Sequence, residues 1–384
     1  MARGIYLDNS TTTRPSLKAV SKMMPYYNEL WGTPSAPHRA GHELLPSMTE
    51  SYMAIYKLFG AREIDEFVFT SSGAEAVNQA ILSAYFDVTL TSGKNHFLTS
   101  LIDEAPSITS LDRLEKFDCV CQQVQPTKNG KVTAESISKM ITPRTALISL
   151  SYGNGLTGTI NQIAEIATLC RERGILLHLD LSHAVGKLYF EIANIDAHFF
   201  SFNGDHFHTP KGTGGLFTKA GTRCRPFILG GNEQGGLRAG SFNVANLVAL
   251  GQAAKEADES RDLLCTEVAR LRDKLELGIV AHYPEAIPFY CDQERLPHCT
   301  SIAFPGIANE AMLYSLNRKD LFACIGGGSF QQLSQILTFC QVPEAIAQTA
   351  VSFSLSRETH EDEIDRAITL IAESANQLRK TWRF

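Results

Sequence analysis

The strongest constraint on the fold is a regular alternation of short apolar runs with segments of helical periodicity. Between the apolar runs, residues 105–117, 132–140 and 162–173 repeat their apolar side chains at helical spacing. The apolar runs themselves predict strands at residues 65–70, 95–100, 119–124, 146–151, 175–180 and 198–202. Strands that alternate with helices usually lie parallel to one another, so the pattern predicts an α/β fold with a largely parallel sheet covered by helices.

The last third of the chain has a different pattern. A helical stretch from Asn243 to about Val280 is followed by shorter predicted strands at 300–304 and 351–355 and a helix at 361–377. A chain of 384 residues also exceeds the usual size of a single core. We therefore predict a large α/β domain at residues 15–260 and a smaller α+β domain built from residues 1–14 and 261–384.

Composition excludes several classes of partner. The net charge of -6 is spread along the chain without basic blocks, which argues against nucleic acid and anionic membranes as partners. No apolar run is long enough to cross a bilayer, and the first residues lack the apolar centre of a signal peptide. Nine cysteines, an odd number, favour reduced thiols and a cytoplasmic location.

Polar turns follow several of the predicted strands. Residues 71–78, SSGAEAVN, lie between a strand and a helix, where free backbone N–H groups and the helix dipole can hold an anion. Plain helix capping explains the same residues. Asp180 ends another strand, and it either serves a site or caps the next helix. A third strand runs into residues 201–215, SFNGDHFHTPKGTGG, a loop rich in polar side chains.

These turns resemble those of the cysteine desulfurases of the NifS/IscS type, which belong to the class-V aminotransferases and the fold-type-I pyridoxal-phosphate (PLP) superfamily. Residues 6–13 match the family's Tyr-Leu-Asp-Asn-x-x-Thr-Thr start, and residues 33–41 match its Asn-Pro-Ser-Ser-x-His-x-x-Gly run. Residues 209–212 and 230–243 match its Gly-Pro-Lys-Gly turn and a long Gly-rich segment. The resemblance implies a fold-type-I PLP-transferase architecture with a mostly parallel, seven-stranded sheet.

The resemblance also implies a cofactor site and a homodimer. It places the PLP phosphate at the turn containing Gly73 and Ala74, where the family usually has threonine at the second position. It assigns Asp180 to the pyridine nitrogen, an interaction that makes the ring an electron sink. The remaining implied contacts are His183, at the family's usual glutamine, Asn203 and His206 in the loop, and Ser241, which would reach the phosphate of the other subunit.

The residue that should form the covalent bond to PLP is missing. His206 stands where the family has its lysine, and an imidazole has no primary amine with which to form an imine. Lys211, in the following turn, lies several residues too far along the chain. We therefore expect no covalent PLP, and the chain binds the cofactor in another way or not at all.

Two further positions change the surroundings of the cofactor ring. Glu104 replaces the ring-stacking histidine of the family and places negative charge near Asp180 and any phosphate. Gly155 replaces a side chain that contacts the phenolic oxygen of the cofactor. Both changes disfavour an anionic aromatic ligand.

Two more changes affect the substrate. Ser329 replaces the cysteine that carries sulfur as a persulfide, and a hydroxyl cannot hold one. Ser352 replaces the arginine that binds the carboxylate of the amino acid, so a bidentate charged contact is lost. Cys324 is an alternative sulfur carrier only if the loop adopts another register, and a buried free cysteine is the more common arrangement.

We therefore predict a NifS-related protein whose catalytic positions, His206, Ser329, Glu104 and Ser352, are degenerate and whose PLP-dependent desulfurase activity is lost. The remaining role is binding or regulation, with a sulfur-transfer or iron–sulfur protein as partner or a small anion as ligand. The alternative is a PLP-dependent desulfurase, lyase or transferase that holds its cofactor non-covalently, with His206 as base. A metal site at Asp205, His206 and His208 is a third possibility, but ordinary hydrogen bonding explains these residues better, and we predict no metal.

Overall fold

A seven-stranded sheet forms the centre of the computed structural model, which describes residues 4–327 and 331–381. The strands, in chain order, are β1 (Ile5–Tyr6), β2 (Glu66–Thr70), β3 (His96–Ser100), β4 (Val120–Val124), β5 (Thr145–Ser151), β6 (Leu176–Asp180), β7 (Phe199–Asn203), β8 (Gly214–Thr218), β9 (Ile287–Pro288), β10 (Cys299–Ala303), β11 (Leu321–Phe322), β12 (Gly326–Gly327), β13 (Gln331–Gln332) and β14 (Ala350–Ser354).

The central sheet has the strand order β2-β8-β7-β6-β5-β3-β4. Strand β8 runs antiparallel to both of its neighbours, and the other paired strands run parallel. Every residue of β3, β5 and β8 is buried, as expected for strands covered on both faces by helices. The predicted α/β fold with a mostly parallel seven-stranded sheet is confirmed.

Helices cover the sheet and form most of the second part of the chain. The helices are α1 (Leu17–Met23), α2 (Pro25–Asn28), α3 (Arg39–His42), α4 (Leu45–Phe59), α5 (Gly73–Ala84), α6 (Leu90–Ser92), α7 (Ala105–Glu115), α8 (Ala134–Ser138), α9 (Ile163–Arg173), α10 (Val244–Glu259), α11 (Arg261–Leu263), α12 (Ala269–His282), α13 (Asn309–Asn317), α14 (Leu333–Phe339), α15 (Glu344–Ala347) and α16 (Glu361–Thr381). A 3-10 turn at Gly204–Phe207 follows β7.

Two large groups of buried apolar side chains stabilise the two parts of the chain. The first lies around the central sheet and includes residues of α4 and α10. The second combines Ile5 and Leu7 with residues between Leu264 and Ala375. The N-terminal segment therefore packs with the C-terminal part, while the exact domain boundaries stay a prediction. Within residues 4–327 and 331–381, none of the helices has the length and apolar character of a membrane span.

The sheet brings the predicted site segments together at one end of its strands. Asp180, the last residue of β6, pairs with Ser201 of β7, and Asn203 at the end of β7 pairs with Gly214. Thr70, the last residue of β2, pairs with the same glycine on the other side of β8. The turn before α5 and the ends of β6 and β7 are therefore neighbours.

Candidate functional site

The turn before α5 uses several of its hydrogen-bond donors within the protein. The Ser72 hydroxyl accepts a bond from the Glu75 backbone N–H (3.3 Å) and so caps the helix. The Gly73 N–H donates to the Asn203 side-chain oxygen (3.0 Å). The Ser71 N–H and hydroxyl both donate to the Glu75 carboxylate (2.8 and 2.6 Å), which also pairs with Arg238 (3.0 Å). Ser72 therefore caps α5. The Ser71 and Gly73 N–H groups already have acceptors within the protein, so fewer backbone donors are free to bind an anion at this turn.

Asn203 and Asp205 join this turn to the N-terminal segment. The Asn203 side-chain amide donates to one Asp205 carboxylate oxygen (2.5 Å), and the Thr12 hydroxyl donates to the other (3.0 Å). The Thr13 hydroxyl and N–H bond to the Asp205 backbone carbonyl. The Asp205 carboxylate is therefore bonded to Asn203, and Asn203 is bonded in turn to the Gly73 N–H of the predicted phosphate turn.

Asp180 is buried at the end of β6. Its Oδ1 accepts hydrogen bonds from the Ser182 N–H (2.9 Å) and hydroxyl (2.6 Å), and that hydroxyl accepts one from the Asn203 N–H (3.0 Å). Burial raises the pKa of Asp180, and the nearby Glu104 carboxylate raises it further. The segment after Asp180 forms a series of turns, and the bond from the Ser182 N–H caps the first of them.

The His183 ring contacts two other substituted positions, Glu104 and His206. The His183 Nε2 lies 3.0 Å from Glu104 Oε1, and the imidazole rings of His183 and His206 pack with their centroids 4.7 Å apart at 55°. The pKa of His206 lies well below 6.5, mainly because the ring is buried and also because His183 and Lys187 are close. The His206 imidazole is therefore neutral at pH 7.

Gly155 lies directly beneath the His183 ring. A Cβ atom added at Gly155 would lie 2.2 Å from His183 Cε1 and 2.5 Å from each ring nitrogen. Contacts this short do not occur between real atoms, so the His183 ring takes its position only because residue 155 has no side chain. The structure thus brings Glu104, Gly155, His183 and His206 together as one group.

The predicted substrate positions are used in the packing of the second part of the chain. The Ser352 hydroxyl is buried and donates to the Leu156 carbonyl (2.7 Å), and the Ser352 backbone pairs with that of Cys324 (2.7 and 3.0 Å). Burial raises the pKa of Cys324, and the Asp8 carboxylate raises it further, which disfavours a reactive thiolate. Ser329 lies outside the described residues.

The remaining predicted residues are separate from this group. His208 is buried and its Nδ1 donates to the Arg14 carbonyl (2.8 Å), whereas Lys211 and Ser241 are exposed. In the part of the chain that the structure describes, no three His, Cys, Asp or Glu side chains are arranged to hold a metal ion.

Sequence reasoning missed Lys187. This lysine is 6% exposed, and its Nζ has no hydrogen-bond partner among the described residues. Burial lowers its pKa to about 8. The available signal was its apolar setting, Ala184-Val185-Gly186 before it and Leu188 after it, which is unusual for a surface lysine.

The fold and the order of these turns define a class of protein. A family model described as Aminotransferase class-V matches residues 5–367, and the chain belongs to this family, with the fold-type-I architecture of its PLP-dependent members. Among characterised relatives it is similar to Cysteine desulfurase NifS of Azotobacter vinelandii, with 35% identity over 98% of this chain and 93% of that protein. A Cysteine desulfurase of Gluconacetobacter diazotrophicus is 33% identical over 98% of this chain and 94% of its own length.

Solved structures agree with this assignment. A structure titled NifS-like protein superposes with a TM-score of 0.91 at 26% identity and covers 98% of this chain and 100% of its own. A NifS-like protein from Rickettsia africae superposes with a TM-score of 0.86 at 21% identity, over 97% and 100% of the two chains, and supports the fold. The predicted relationship to the cysteine desulfurases of the NifS type is confirmed.

Proposed function

We propose that this NifS-related chain has lost PLP-dependent cysteine desulfuration and acts through binding or regulation. The observation that carries the proposal is the position of the His183 ring, which pairs with Glu104, packs on His206 and lies over Gly155. If these positions had been substituted independently of one another, we would not expect the new side chains to fit together in this way. The altered residues instead support one another in a rebuilt pocket.

The residues present do not fit a covalently bound PLP. His206 has no amine, and its ring packs against that of His183, which in turn contacts Glu104. Asn203 already binds the Gly73 N–H at the turn, and Asp205 adds a carboxylate next to it. An anionic ligand at this turn would have to displace one internal bond and lie close to a negative charge. We therefore derive no catalytic step through PLP.

The proposed partners follow from the family relationship. We propose a cytoplasmic homodimer that binds a sulfur-transfer or iron–sulfur assembly protein. The segment at 230–243 supports the dimer, because Ser241 is exposed and the preceding Leu229 is 79% exposed on the single chain. The nine cysteines, all of which are free thiols, support a reducing compartment.

One observation favours the alternative of non-covalent PLP with His206 as base. The Nδ1 atom of His206 is buried and has no hydrogen-bond partner within the described residues. A neutral imidazole with a free nitrogen can accept a proton. Its lowered pKa, however, makes it a weak base at neutral pH.

Absorption spectroscopy and sulfide release test the proposal. We expect the purified protein, given excess PLP, to show no aldimine band, no borohydride-reduced lysine adduct and no sulfide release from cysteine. A reducible adduct would contradict the proposal, and bound PLP that resists reduction, together with turnover abolished by His206→Ala, would favour the alternative.

A reversion series provides the matched control. His206→Lys alone restores the amine but leaves Glu104 and the His183 ring in place, so we expect no stable adduct. The quadruple variant Glu104→His, Gly155→Asn, His183→Gln and His206→Lys removes both obstacles together. Adduct formation in the quadruple variant only would show that the contacting group blocks the cofactor.

A further inference from the structure

A small cavity lies beside the rebuilt pocket. It has a volume of about 20 Å³ and is bounded by the turn containing Gly186 and Lys187, the 3-10 turn with His206 and His208, and the segment that ends at Arg357. Apolar side chains of Phe207, Leu264 and Leu355 complete its wall. A volume of roughly 10–15 Å³ holds one water molecule, so the cavity accepts one guest of about that size.

Two buried polar atoms of the lining residues have no partner in residues 4–327 and 331–381. They are the Lys187 ammonium nitrogen and the His206 Nδ1. An ammonium offers three donors and no acceptor, and buried polar groups in native proteins are almost always bonded. The Lys187 ammonium therefore lacks a hydrogen-bond acceptor, and His206 Nδ1 adds a second donor when the neutral ring carries its proton on that nitrogen.

No charged group near Lys187 supplies its ammonium with a hydrogen-bond acceptor among the described residues. Arg357 pairs with Glu256 at 2.6 Å. The Asp205 carboxylate accepts bonds from Asn203 and Thr12 and none from Lys187. The nearby Asp205 carboxylate raises the pKa of Lys187 but makes no hydrogen bond with it, so the buried ammonium keeps its donors without an acceptor.

We propose that this cavity binds one small monovalent anion between the Lys187 ammonium and the His206 ring. A halide or a diatomic anion such as cyanide or hydrosulfide fits the volume, whereas sulfate, phosphate and carboxylates are too large. The anion would accept hydrogen bonds from Lys187 and neutralise its charge, while the apolar wall excludes a second water shell. The inference does not rest on the loss of desulfurase activity, because Lys187 lacks an acceptor whichever chemistry the neighbouring pocket performs.

The expected pH dependence follows from the groups around Lys187. The titratable or charged groups near it, on every element packed against it, are Asp205, His206, His208, His183, His298, Cys299 and Arg357. Burial holds the pKa values of His206 and His298 well below 6.5 and that of His208 at about 4, and it raises that of Cys299 to about 11. Lys187 itself, with its pKa of about 8, changes charge just above neutrality.

Thermal unfolding at constant ionic strength, with chloride or bromide replacing gluconate, measures binding in the full chain. Above its dissociation constant, each tenfold rise in free halide should add about 1.4 kcal/mol to the free energy of unfolding. We expect this effect at about pH 7, no matching effect of sulfate, and its loss by about pH 9.5, where Lys187 is neutral. An equal response to halide and sulfate, or a response unchanged at the higher pH, would overturn the proposal.

Variants and diffraction locate the site. Lys187→Met keeps the length of the side chain and removes the charge, so it should abolish the halide effect, while the exposed Lys211→Met should leave it unchanged. Crystals of the wild-type protein grown with bromide should show an anomalous peak between Lys187 and His206. Water in place of that peak would contradict the inference even if Lys187→Met failed to fold.

Discussion

At the scale of single residues, the geometry of the site depends on the absence of a side chain at Gly155. The His183 ring occupies the space that a Cβ at that position would need, with the closest approach at 2.2 Å. The ring in turn holds the Glu104 carboxylate at 3.0 Å. The missing side chain at position 155 therefore permits both the position of the ring and its contact with Glu104.

Gly155→Ala should destabilise the protein by about 1–3 kcal/mol, because the added methyl group overpacks the site and displaces the His183 ring. Urea unfolding gives the free energy. In a His183→Ala background the same substitution should cost much less, since the clashing ring is gone. Equal costs in the two backgrounds would show that the ring does not require the glycine.

The sequence was sufficient to single out Glu104, Gly155 and His206 individually, through the resemblance. Their mutual contact was not predictable, because Glu104 and His183 are 79 residues apart and meet only when β6 and the segment before α7 are adjacent in the fold. Lys187 was missed for a related reason. Its burial depends on packing against the 3-10 turn at Gly204–Phe207, which no local pattern encodes.

At the scale of the elements, strand β6 links the core to the site. Side chains alternate along a strand, so His178 and Asp180 point to the same face while Leu177 and Leu179 point to the other. The His178 ring bridges the Ser149 hydroxyl on β5 (2.8 Å) and the Ser201 hydroxyl on β7 (2.9 Å). Burial lowers the pKa of His178 to about 3.

The stability of the sheet should therefore fall as the pH is lowered. The unfolded chain binds a proton at His178 near pH 6.5 and the folded chain only near pH 3, so the loss approaches about 1.4 kcal/mol per pH unit between those values. Urea unfolding from pH 7 to pH 4 should show a shallower slope for His178→Gln than for the wild type. The exposed His282→Gln is the control, and identical slopes for all three proteins would refute the assignment.

Most elements were predictable because their local patterns agree with the fold. The strand predicted at 175–180 is Leu176–Asp180, and the helix predicted at 162–173 is Ile163–Arg173. Gly60 ends α4, and its φ of 57° shows why, since this left-handed conformation suits glycine. The helix predicted at 132–140 is shorter, Ala134–Ser138, because the Thr133 capping box sets its start.

At the scale of the whole molecule, the single chain exposes apolar side chains that a dimer would cover. Leu229 is 79% exposed and Trp31 is 74% exposed. Leu229 immediately precedes the segment at 230–243, which the resemblance places at the dimer contact. Large apolar side chains next to such a segment are typical of an association surface.

We expect Leu229→Glu to convert a homodimer into a monomer, because a carboxylate buried at the contact has no compensating partner. Sedimentation equilibrium measures the change. Leu277→Glu on α12 is the matched control, since this leucine is 72% exposed and lies far along the chain from the segment. A dimer that survives Leu229→Glu, or a wild-type monomer, would contradict the proposed contact.

The contact between Gly155 and His183 also couples the substitutions that the two positions can accept. A side chain at position 155 and the present position of the His183 ring exclude each other. Any residue larger than glycine at position 155 meets the His183 ring in its present position. Position 155 can therefore regain a side chain only after, or together with, a change at position 183.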